Sequence, residues 1–186
     1  MTGQGVGVDD GSVDDGSADH RFRVVPAAYV YLRREGQVLL QLRQGTGYRD
    51  GHWAAAAAGH VEAGESVRAA AVREVREELG VEVDPDDLVP VTTMHRGQPG
   101  GPALEQRVDF FFTATRWSGS PEIREPAKVG DLRWFPFVTL PDPVVPHELV
   151  VLRALHDEGR HGTRVPPILT DGFGGPAPAG PLAPGS

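Results

Sequence analysis

Residues 59–81 read GHVEAGESVRAAAVREVREELGV and concentrate five glutamates and three arginines in one short segment. Ser66 can cap the N-terminus of a helix, and Gly80 can end it by adopting a left-handed conformation. We therefore predict a helix over residues 67–79, with a glycine-containing loop on each side. The charge density raises the question of whether this helix presents a solvated face or a binding surface.

Helical geometry separates the charged and the apolar side chains of this segment. At about 100° per residue, Glu74, Glu77 and Glu78 fall within an arc of roughly 100° on one face. A separate apolar stripe, suited to packing on a sheet, is formed by Val72, Val75 and Leu79. Glu74 and Glu78 are like charges one turn apart, which costs about 0.2–0.5 kcal/mol. A divalent cation would reverse this penalty, so the acidic face is either a solvated surface or a metal-binding surface.

The spacing of the segment resembles the Nudix box, glycine-x5-Glu-x7-Arg-Glu-apolar-x-Glu-Glu-x-Gly-apolar, with every specified position filled from Gly59 to Val81. The hairpin expected before it and the later stretch EPAKVGDLRWFPFVTLP, residues 125–141, also look like family segments. The resemblance implies an α/β fold, namely an α/β/α sandwich with a mixed β-sheet between helices. It also implies a hydrolase that uses Mg²⁺ or Mn²⁺ to cleave nucleoside diphosphates linked to another group.

The resemblance further implies a metal site built from oxygen donors. Carried over by position, Glu74, Glu77 and Glu78 are the expected ligands, and the main-chain carbonyl of Ala58 joins them. Mg²⁺ needs more oxygens than these supply, so water, substrate phosphates or a carboxylate outside the box must complete its shell. We expect Glu125 to contribute, because the following proline restricts it to extended geometry in a loop that a strand anchors.

Arg73 and Glu65 are the other box residues with implied roles in catalysis. By resemblance, Arg73 orients the box glutamates through ion pairs, and Glu65 pairs with Arg73. A carboxylate must also accept a proton from the attacking water. The sequence leaves this general base open, and the candidates are Glu77, Glu78, Glu105 and Glu125.

Substrate markers of the subfamilies are absent from their expected places. Residues 95–98, His-Arg-Gly-Gln, contain neither the proline nor the tyrosine that mark enzymes acting on ADP-ribose and on dinucleoside polyphosphates. By elimination, we favour a nucleoside triphosphate that is cleaved to a monophosphate and pyrophosphate. ADP-ribose or another nucleoside diphosphate derivative remains open as the substrate. A non-catalytic Nudix-fold module that binds a ligand without cleaving it is the competing class.

Further segments on both sides of the box predict a sheet and a second helix. We expect strands over residues 22–34, 38–44, 54–59, 87–96, 106–116 and 131–137, and a last helix over residues 147–158. This order of elements indicates a mixed sheet covered by helices on its two faces. Residues 54–59, AAAAAG, lack the proline that many family members carry before the box glycine and that would stiffen the loop.

The two ends of the chain differ from its middle in composition. Residues 1–20 hold five Asp with no Lys or Arg and show no helical or strand period, so we expect a disordered acidic arm. Residues 161–186 end in a stretch rich in Pro, Gly and Ala, and we expect a flexible tail there. We expect the remaining residues, 21–160, to form one domain, because their number suits a single hydrophobic core.

Composition also limits the classes of function. The chain has 186 residues, a net charge of −8 and no cysteine, which excludes disulfides and thiolate metal sites. The acidic balance argues against a protein that coats nucleic acid. No run approaches the roughly 20 apolar residues of a membrane span, and the amino terminus lacks the pattern of a signal peptide. We therefore expect a cytoplasmic protein with a small-molecule, nucleotide-type substrate and with no nucleic acid or membrane partner; the oligomeric state stays open.

Overall fold

The structure, a computed structural model, describes residues 22–97, 100–101 and 105–173. The expected acidic arm over residues 1–20 lies outside the described residues. Residues 174–186 of the expected tail also lie outside them. Both expectations therefore remain predictions for those segments.

Eight strands in the described part of the chain form one mixed sheet. They are β1 Val25–Arg34, β2 Gln37–Arg43, β3 Trp53–Ala55, β4 Ala57–His60, β5 Val89–Arg96, β6 Arg107–Ala114, β7 Val129–Pro136 and β8 Ile168–Asp171. The strand order is β3-β2-β1-β6-β5-β8, with β4 paired to β1 and β7 paired to β2. The β1–β6 and β5–β8 pairings are parallel, and the others are antiparallel.

Two helices cover the two faces of this sheet, α1 Val67–Leu79 and α2 Pro146–His161. Successive side chains of a strand point to opposite faces. In β1, Val30 and Leu32 belong to the apolar cluster that includes α1, whereas Tyr29 and Tyr31 belong to the cluster that includes α2. The predicted α/β/α sandwich with a mixed sheet is therefore confirmed.

Helix α1 begins and ends where the sequence predicts. The Ser66 hydroxyl accepts a hydrogen bond from the Ala69 N–H at 3.2 Å, and Gly80 has a φ of 68° in the left-handed region. The side chains that α1 buries are Ala70, Ala71, Glu74, Val75 and Leu79. Neither described helix is long and apolar enough to cross a membrane.

The predicted tail is wrong for residues 168–171, which form strand β8 parallel to β5. Leu169 is buried in the cluster beneath α2. The Thr93 N–H also donates a 3.1 Å hydrogen bond to the Pro167 carbonyl just before β8. This strand is short and its apolar contacts are all distant in sequence, so no local period marks it. The folded unit thus extends beyond residue 160.

The alanine run after Trp53 forms two strands and not the single predicted one. Strand β3 pairs with β2, whereas β4 pairs with β1, and Ala56 lies between them. The alanine run therefore pairs with β2 up to Ala55 and with β1 from Ala57 onward. As a result, Ala58 and Gly59 lie opposite Tyr29 and Ala28 of β1, at the central part of the sheet.

Candidate functional site

Arg73 lies at the centre of an ion-pair network on α1. Its Nη2 lies 2.7 Å from Glu65 Oε1, and its Nη1 lies 2.7 Å from Glu74 Oε1. Nη1 also lies 3.2 Å from Glu77 Oε2, one helical turn away, and Nη2 donates a 3.0 Å bond to the His60 carbonyl. Hydrogen bonds to Glu65 foremost, and also to Glu74, raise the pKa of Arg73 above its usual range. The Glu65–Arg73 ion pair that the resemblance implies is present.

Glu74 packs against the first glycine of the box. A Cβ atom added at Gly59 would overlap the Glu74 carboxylate, so a larger residue there would force this carboxylate out of its present position. Burial raises the pKa of Glu74, and the hydrogen bond from Arg73 opposes that change. The box glycine therefore allows a carboxylate of α1 to reach the end of β4.

Glu78 is bound to the same strand. Its Oε2 accepts a 2.8 Å hydrogen bond from the Ala58 N–H. Burial raises the pKa of Glu78 to about 8, and the negative charges of Glu74 and Glu125 add to the effect. Glu78 therefore lies among other carboxylates, in surroundings that disfavour its own negative charge.

Glu77 differs from the other two predicted ligands. Its side chain is 55% exposed, and its contact with Arg73 is the longer one, at 3.2 Å. The structure thus brings Glu74 and Glu78 together beside residues 58–59, whereas Glu77 lies at the rim of this group.

The loop before β7 approaches the C-terminal end of α1 and carries Glu125. The Arg124 N–H donates a 3.3 Å hydrogen bond to the Glu78 carbonyl. The Lys128 Nζ lies 2.9 and 3.0 Å from the two oxygens of Glu125. Because the charge of Glu125 contributes to the raised pKa of Glu78, these two carboxylates lie within electrostatic reach of each other.

Gln44, just after β2, holds this loop from the other side. Its N–H donates to the Lys128 carbonyl at 2.9 Å, and its Nε2 donates to the Pro126 carbonyl at 2.9 Å. Gly45 comes so close that an added Cβ would lie 2.7 Å from the Ala127 oxygen. The loop is therefore fixed between α1 and the end of β2.

Carboxylates and a main-chain carbonyl are the oxygen donors that Mg²⁺ prefers, and they meet around residues 58–59. Within the described ranges, no three acidic or histidine side chains are grouped so that they could hold a metal as they stand. Arg73 draws Glu74 and Glu77 toward itself, whereas the Ala58 N–H draws Glu78. The donor chemistry fits a divalent cation, which would compete with Arg73 and with the Ala58 N–H for these carboxylates.

A cavity of about 540 Å³ opens beside residues 58–60. Its volume is in the range of small-molecule sites. Ala58, Gly59 and His60 line it, and the first two also contact the box carboxylates. Glu105, one of the predicted general-base candidates, also lines this cavity.

The walls of the cavity include residues that the sequence analysis missed, among them Tyr29, Arg96, Arg107 and His147. The Nε atoms of Arg96 and Arg107 lie 2.8 and 3.3 Å from the carboxylate of Asp109, which is fully buried. These residues come from three strands and a helix that are distant in sequence. Alternation along β6, which places Arg107 and Asp109 on one face, is the one local signal that could have suggested part of this arrangement.

Comparison with known proteins identifies the family to which these features correspond. A sequence model described as the NUDIX domain matches residues 23–155, more than half of the chain. The crystal structure of a MutT NUDIX hydrolase from Burkholderia pseudomallei superposes with a TM-score of 0.63 and 26% identity. That match covers 70% of this chain and 97% of the other.

Two curated proteins are similar in sequence. Isopentenyl-diphosphate Delta-isomerase of Jannaschia sp. (strain CCS1) is 33% identical over 115 residues, which are 61% of this chain and 65% of that protein. The 8-oxo-dGDP phosphatase NUDT18 of Homo sapiens is 31% identical over 142 residues, which are 75% of this chain and 41% of that protein. The matched regions thus span less than two thirds of the length of either relative.

Proposed function

The chain belongs to the NUDIX domain family, and on that premise we propose that it hydrolyses a pyrophosphate bond in a nucleotide-type small molecule with the help of Mg²⁺ or Mn²⁺. Every specified position of the box is filled. The similar human protein is named as a phosphatase of 8-oxo-dGDP, a nucleoside diphosphate. An intact box favours a hydrolase over a module that only binds its ligand.

One structural observation carries the proposal. The segment from Ala58 to His60 borders both the acidic group and the cavity, since it contacts Glu74 and Glu78 and also lines the cavity. A ligand in the cavity would therefore hold its phosphates beside the carboxylates. Phosphates and carboxylates repel each other, so this arrangement requires cations between them.

Residues of this chain would hold such a cation with the oxygens of Glu74, Glu77 and Glu78, the carbonyl of Ala58 and the carboxylate of Glu125. When bound, a divalent cation polarises a phosphoryl oxygen and lowers the pKa of a water molecule. Arg73 and the Ala58 N–H hold Glu74 and Glu78 beside residues 58–59 before any substrate arrives. A bound cation would have to draw the carboxylates from these partners.

Arg73 and Glu65 would position the acidic side chains. Arg73 bonds to three glutamates and to the His60 carbonyl, so it links α1 to the strand that lines the cavity. One carboxylate accepts the proton of the attacking water. The candidates for this step are Glu77, Glu78, Glu105 and Glu125.

A nucleoside triphosphate, cleaved to a monophosphate and pyrophosphate, is the substrate that we favour, with ADP-ribose or another nucleoside diphosphate derivative as the alternative. The cavity walls carry Arg43, Arg96 and Arg107, whose guanidinium groups suit phosphate oxygens. A bound isopentenyl chain would place its hydrocarbon against these charged side chains, which is unfavourable because the charges would lose water without gaining a polar partner. The lining therefore supports a nucleotide over a prenyl diphosphate.

The proposal is tested by incubating the purified chain with nucleoside triphosphates, ADP-ribose, dinucleoside polyphosphates, nucleotide sugars and isopentenyl diphosphate. Products are followed by ³¹P NMR with Mg²⁺, with Mn²⁺ and with excess chelator. We expect metal-dependent cleavage of a nucleotide. Full turnover in excess chelator would contradict the metal requirement, and tight binding without cleavage of any compound would favour the non-catalytic module.

A further inference from the structure

Lys128 is the one lysine in the chain. The other seventeen of the 18 basic residues are arginines. Arginine binds a carboxylate with a planar fork of donors, whereas lysine carries a compact charge on a flexible stem. A lysine at one place in a chain that otherwise uses arginine therefore supplies a cation that moves more easily from one partner to another.

Both carboxylate oxygens of Glu125 are bound to this lysine. The Lys128 Nζ lies 2.9 Å from Glu125 Oε1 and 3.0 Å from Glu125 Oε2. The main chain fixes the pair, since the Lys128 N–H donates to the Glu125 carbonyl at 2.9 Å and the Lys128 carbonyl accepts from the Gln44 N–H at 2.9 Å. The ammonium therefore holds the carboxylate that the proposed metal site would draw from this loop.

The charge of Lys128 also acts on the carboxylates of the box. The hydrogen bond to Glu125 foremost, and also the negative charges of Glu78 and Glu74, raise the pKa of Lys128. The ammonium thus lies within electrostatic reach of three proposed metal donors. A divalent cation held by the same donors would be repelled by it, because like charges a few Å apart oppose each other.

Arg73, the guanidinium that binds the box glutamates, is held more firmly than Lys128. It makes five hydrogen bonds, and its side chain is 19% exposed. The Lys128 side chain is 59% exposed, and among the described residues its ammonium bonds only to Glu125. Exposed ion pairs contribute little to stability. Lys128 is therefore the cation that can leave its carboxylate at small cost.

We propose that Lys128 is a positioning residue that holds Glu125 beside the acidic group until a divalent cation takes its place. Metal binding is then an exchange, in which Glu125 turns an oxygen to the metal and Lys128 is released toward solvent. The inference rests on the proposed function, because it takes Glu125 to be a metal ligand. It goes beyond that function by assigning to Lys128 the setting of the metal affinity.

The test measures Mn²⁺ binding to the full chain without substrate, through the loss of the free-ion signal in electron paramagnetic resonance. Lys128→Met removes a like charge from the site and should raise the Mn²⁺ affinity about threefold or more. Lys128→Arg keeps the charge but can bind both oxygens of Glu125 with a planar fork, so it should lower the affinity about twofold or more. A merely structural role of Lys128 would lower the affinity in both variants.

Arg124→Met is the matched control, because it removes another positive charge from the loop before β7. Arg124 pairs with Glu122 and not with a proposed metal ligand, so the Mn²⁺ affinity should change by less than about twofold. An Mn²⁺ affinity that Lys128→Met leaves unchanged or lowers overturns the inference. A change of the same sign in Lys128→Met and Lys128→Arg overturns it as well.

A second readout follows the ammonium itself. In a chain with ¹⁵N-labelled lysine, one side-chain signal is expected, because Lys128 has no second lysine beside it in the sequence. This signal should shift when Mg²⁺ is added and should not shift with Na⁺ at the same ionic strength. A signal that Mg²⁺ leaves in place contradicts the release of Lys128 from Glu125.

Both readouts omit the substrate, so the exchange and the proposed hydrolase activity can fail separately. A chain that exchanges Lys128 for a cation but cleaves no compound contradicts the hydrolase activity alone. Metal-dependent hydrolysis, together with equal Mn²⁺ affinity of wild type and Lys128→Met, contradicts the exchange alone.

Discussion

The main-chain N–H of Ala58 donates a 2.8 Å hydrogen bond to the carboxylate of Glu78, and this bond joins β4 to α1. Residue 58 therefore needs an N–H group, which proline lacks. Many family members carry a Pro-Gly or Pro-Ala pair before the box glycine, and in this chain the proline of such a pair would stand at residue 57, which is alanine. Ala58 fits the second position of the pair, where the main-chain N–H stays free to hold one of the box glutamates.

Replacing Ala58 with proline should therefore loosen Glu78 as well as the strand. Because the pKa of Glu78 is raised to about 8, this bond is mostly to an uncharged carboxyl near neutral pH and contributes about 0.5–1.5 kcal/mol, so the variant should melt a few degrees lower and lose turnover. Ala58→Gly is the matched control, because it keeps the N–H and should retain most of the activity. Thermal melting and turnover of both variants check the prediction. If Ala58→Pro and Ala58→Gly had the same melting temperature and the same turnover, the hydrogen bond from Ala58 to Glu78 would contribute to neither.

Glu77→Gln and Glu78→Gln should each lower turnover by about 100-fold or more, equivalent to about 2.7 kcal/mol of transition-state stabilisation. Glu77→Gln removes one of several clustered like charges, whereas Glu78, with its pKa raised to about 8, carries little charge near neutral pH, so the melting temperature should hold in both variants. The matched control is Glu62→Gln, a box glutamate at an unspecified and exposed position. If the Glu78→Gln variant turned over near the wild-type rate, the Glu78 carboxylate would not be required for the reaction.

The sequence predicts α1 and its acidic face well because the signals there are local. Ser66 and Gly80 lie at the two ends of an uninterrupted run, and the helical period alone places Glu74 and Glu78 on one side. The close packing of Glu74 on Gly59 is also consistent with a spacing that reserves glycine at this position.

The cavity and strand β8 were not predicted, since both depend on contacts between distant segments. His147 approaches Tyr29 through the pairing of the chain before α2 with β3, and no spacing within either segment encodes this contact. Leu169 is the one buried residue of a four-residue strand, and its place beside β5 buries it.

A chain that ends at residue 160 should be less stable than the full chain, because it loses β8. Burial of Leu169 alone contributes about 1.5–3 kcal/mol, which corresponds to a melting temperature lower by roughly 3–12 °C. A chain that ends at residue 173 keeps the strand and should melt as the full chain does. Calorimetry of the three proteins checks this. Identical melting of the chain ending at 160 would show that β8 adds nothing to stability.

Glu125→Gln should lower turnover at least about tenfold, a loss of about 1.4 kcal/mol in transition-state stabilisation. The apparent affinity for Mg²⁺ should fall too if Glu125 supplies an oxygen to the metal. Glu122→Gln is the matched control, because Glu122 lies in the same loop but pairs with Arg124. Both variants should melt close to the wild-type temperature. If Glu125→Gln had unchanged kinetics at every metal concentration, Glu125 would not supply an oxygen to the metal, and Glu105 would be the next candidate for this role.

Glu148 is a buried carboxyl in the first turn of α2 and has no role in the proposed metal site. It accepts hydrogen bonds from the Ala55 N–H at 2.5 Å and from the Tyr31 hydroxyl at 3.4 Å. Burial raises the pKa of Glu148 from 4.5 to about 7, the charge of Asp109 adds to this, and the Ala55 bond and Arg43 oppose it. The folded protein therefore favours the protonated form of this side chain more strongly than the unfolded chain does.

The raised pKa makes stability depend on pH through Glu148. Its contribution is fully present below the unfolded pKa of 4.5 and is lost as pH rises through about 7, a change on the order of 3 kcal/mol. Glu148→Gln keeps an acceptor for the Ala55 N–H but cannot ionise, so its melting temperature should fall less than that of the wild type between pH 5 and 8. Glu158→Gln, an exposed change near the end of α2, should keep the wild-type slope. Parallel slopes for wild type and Glu148→Gln would mean that the fold does not favour a protonated Glu148.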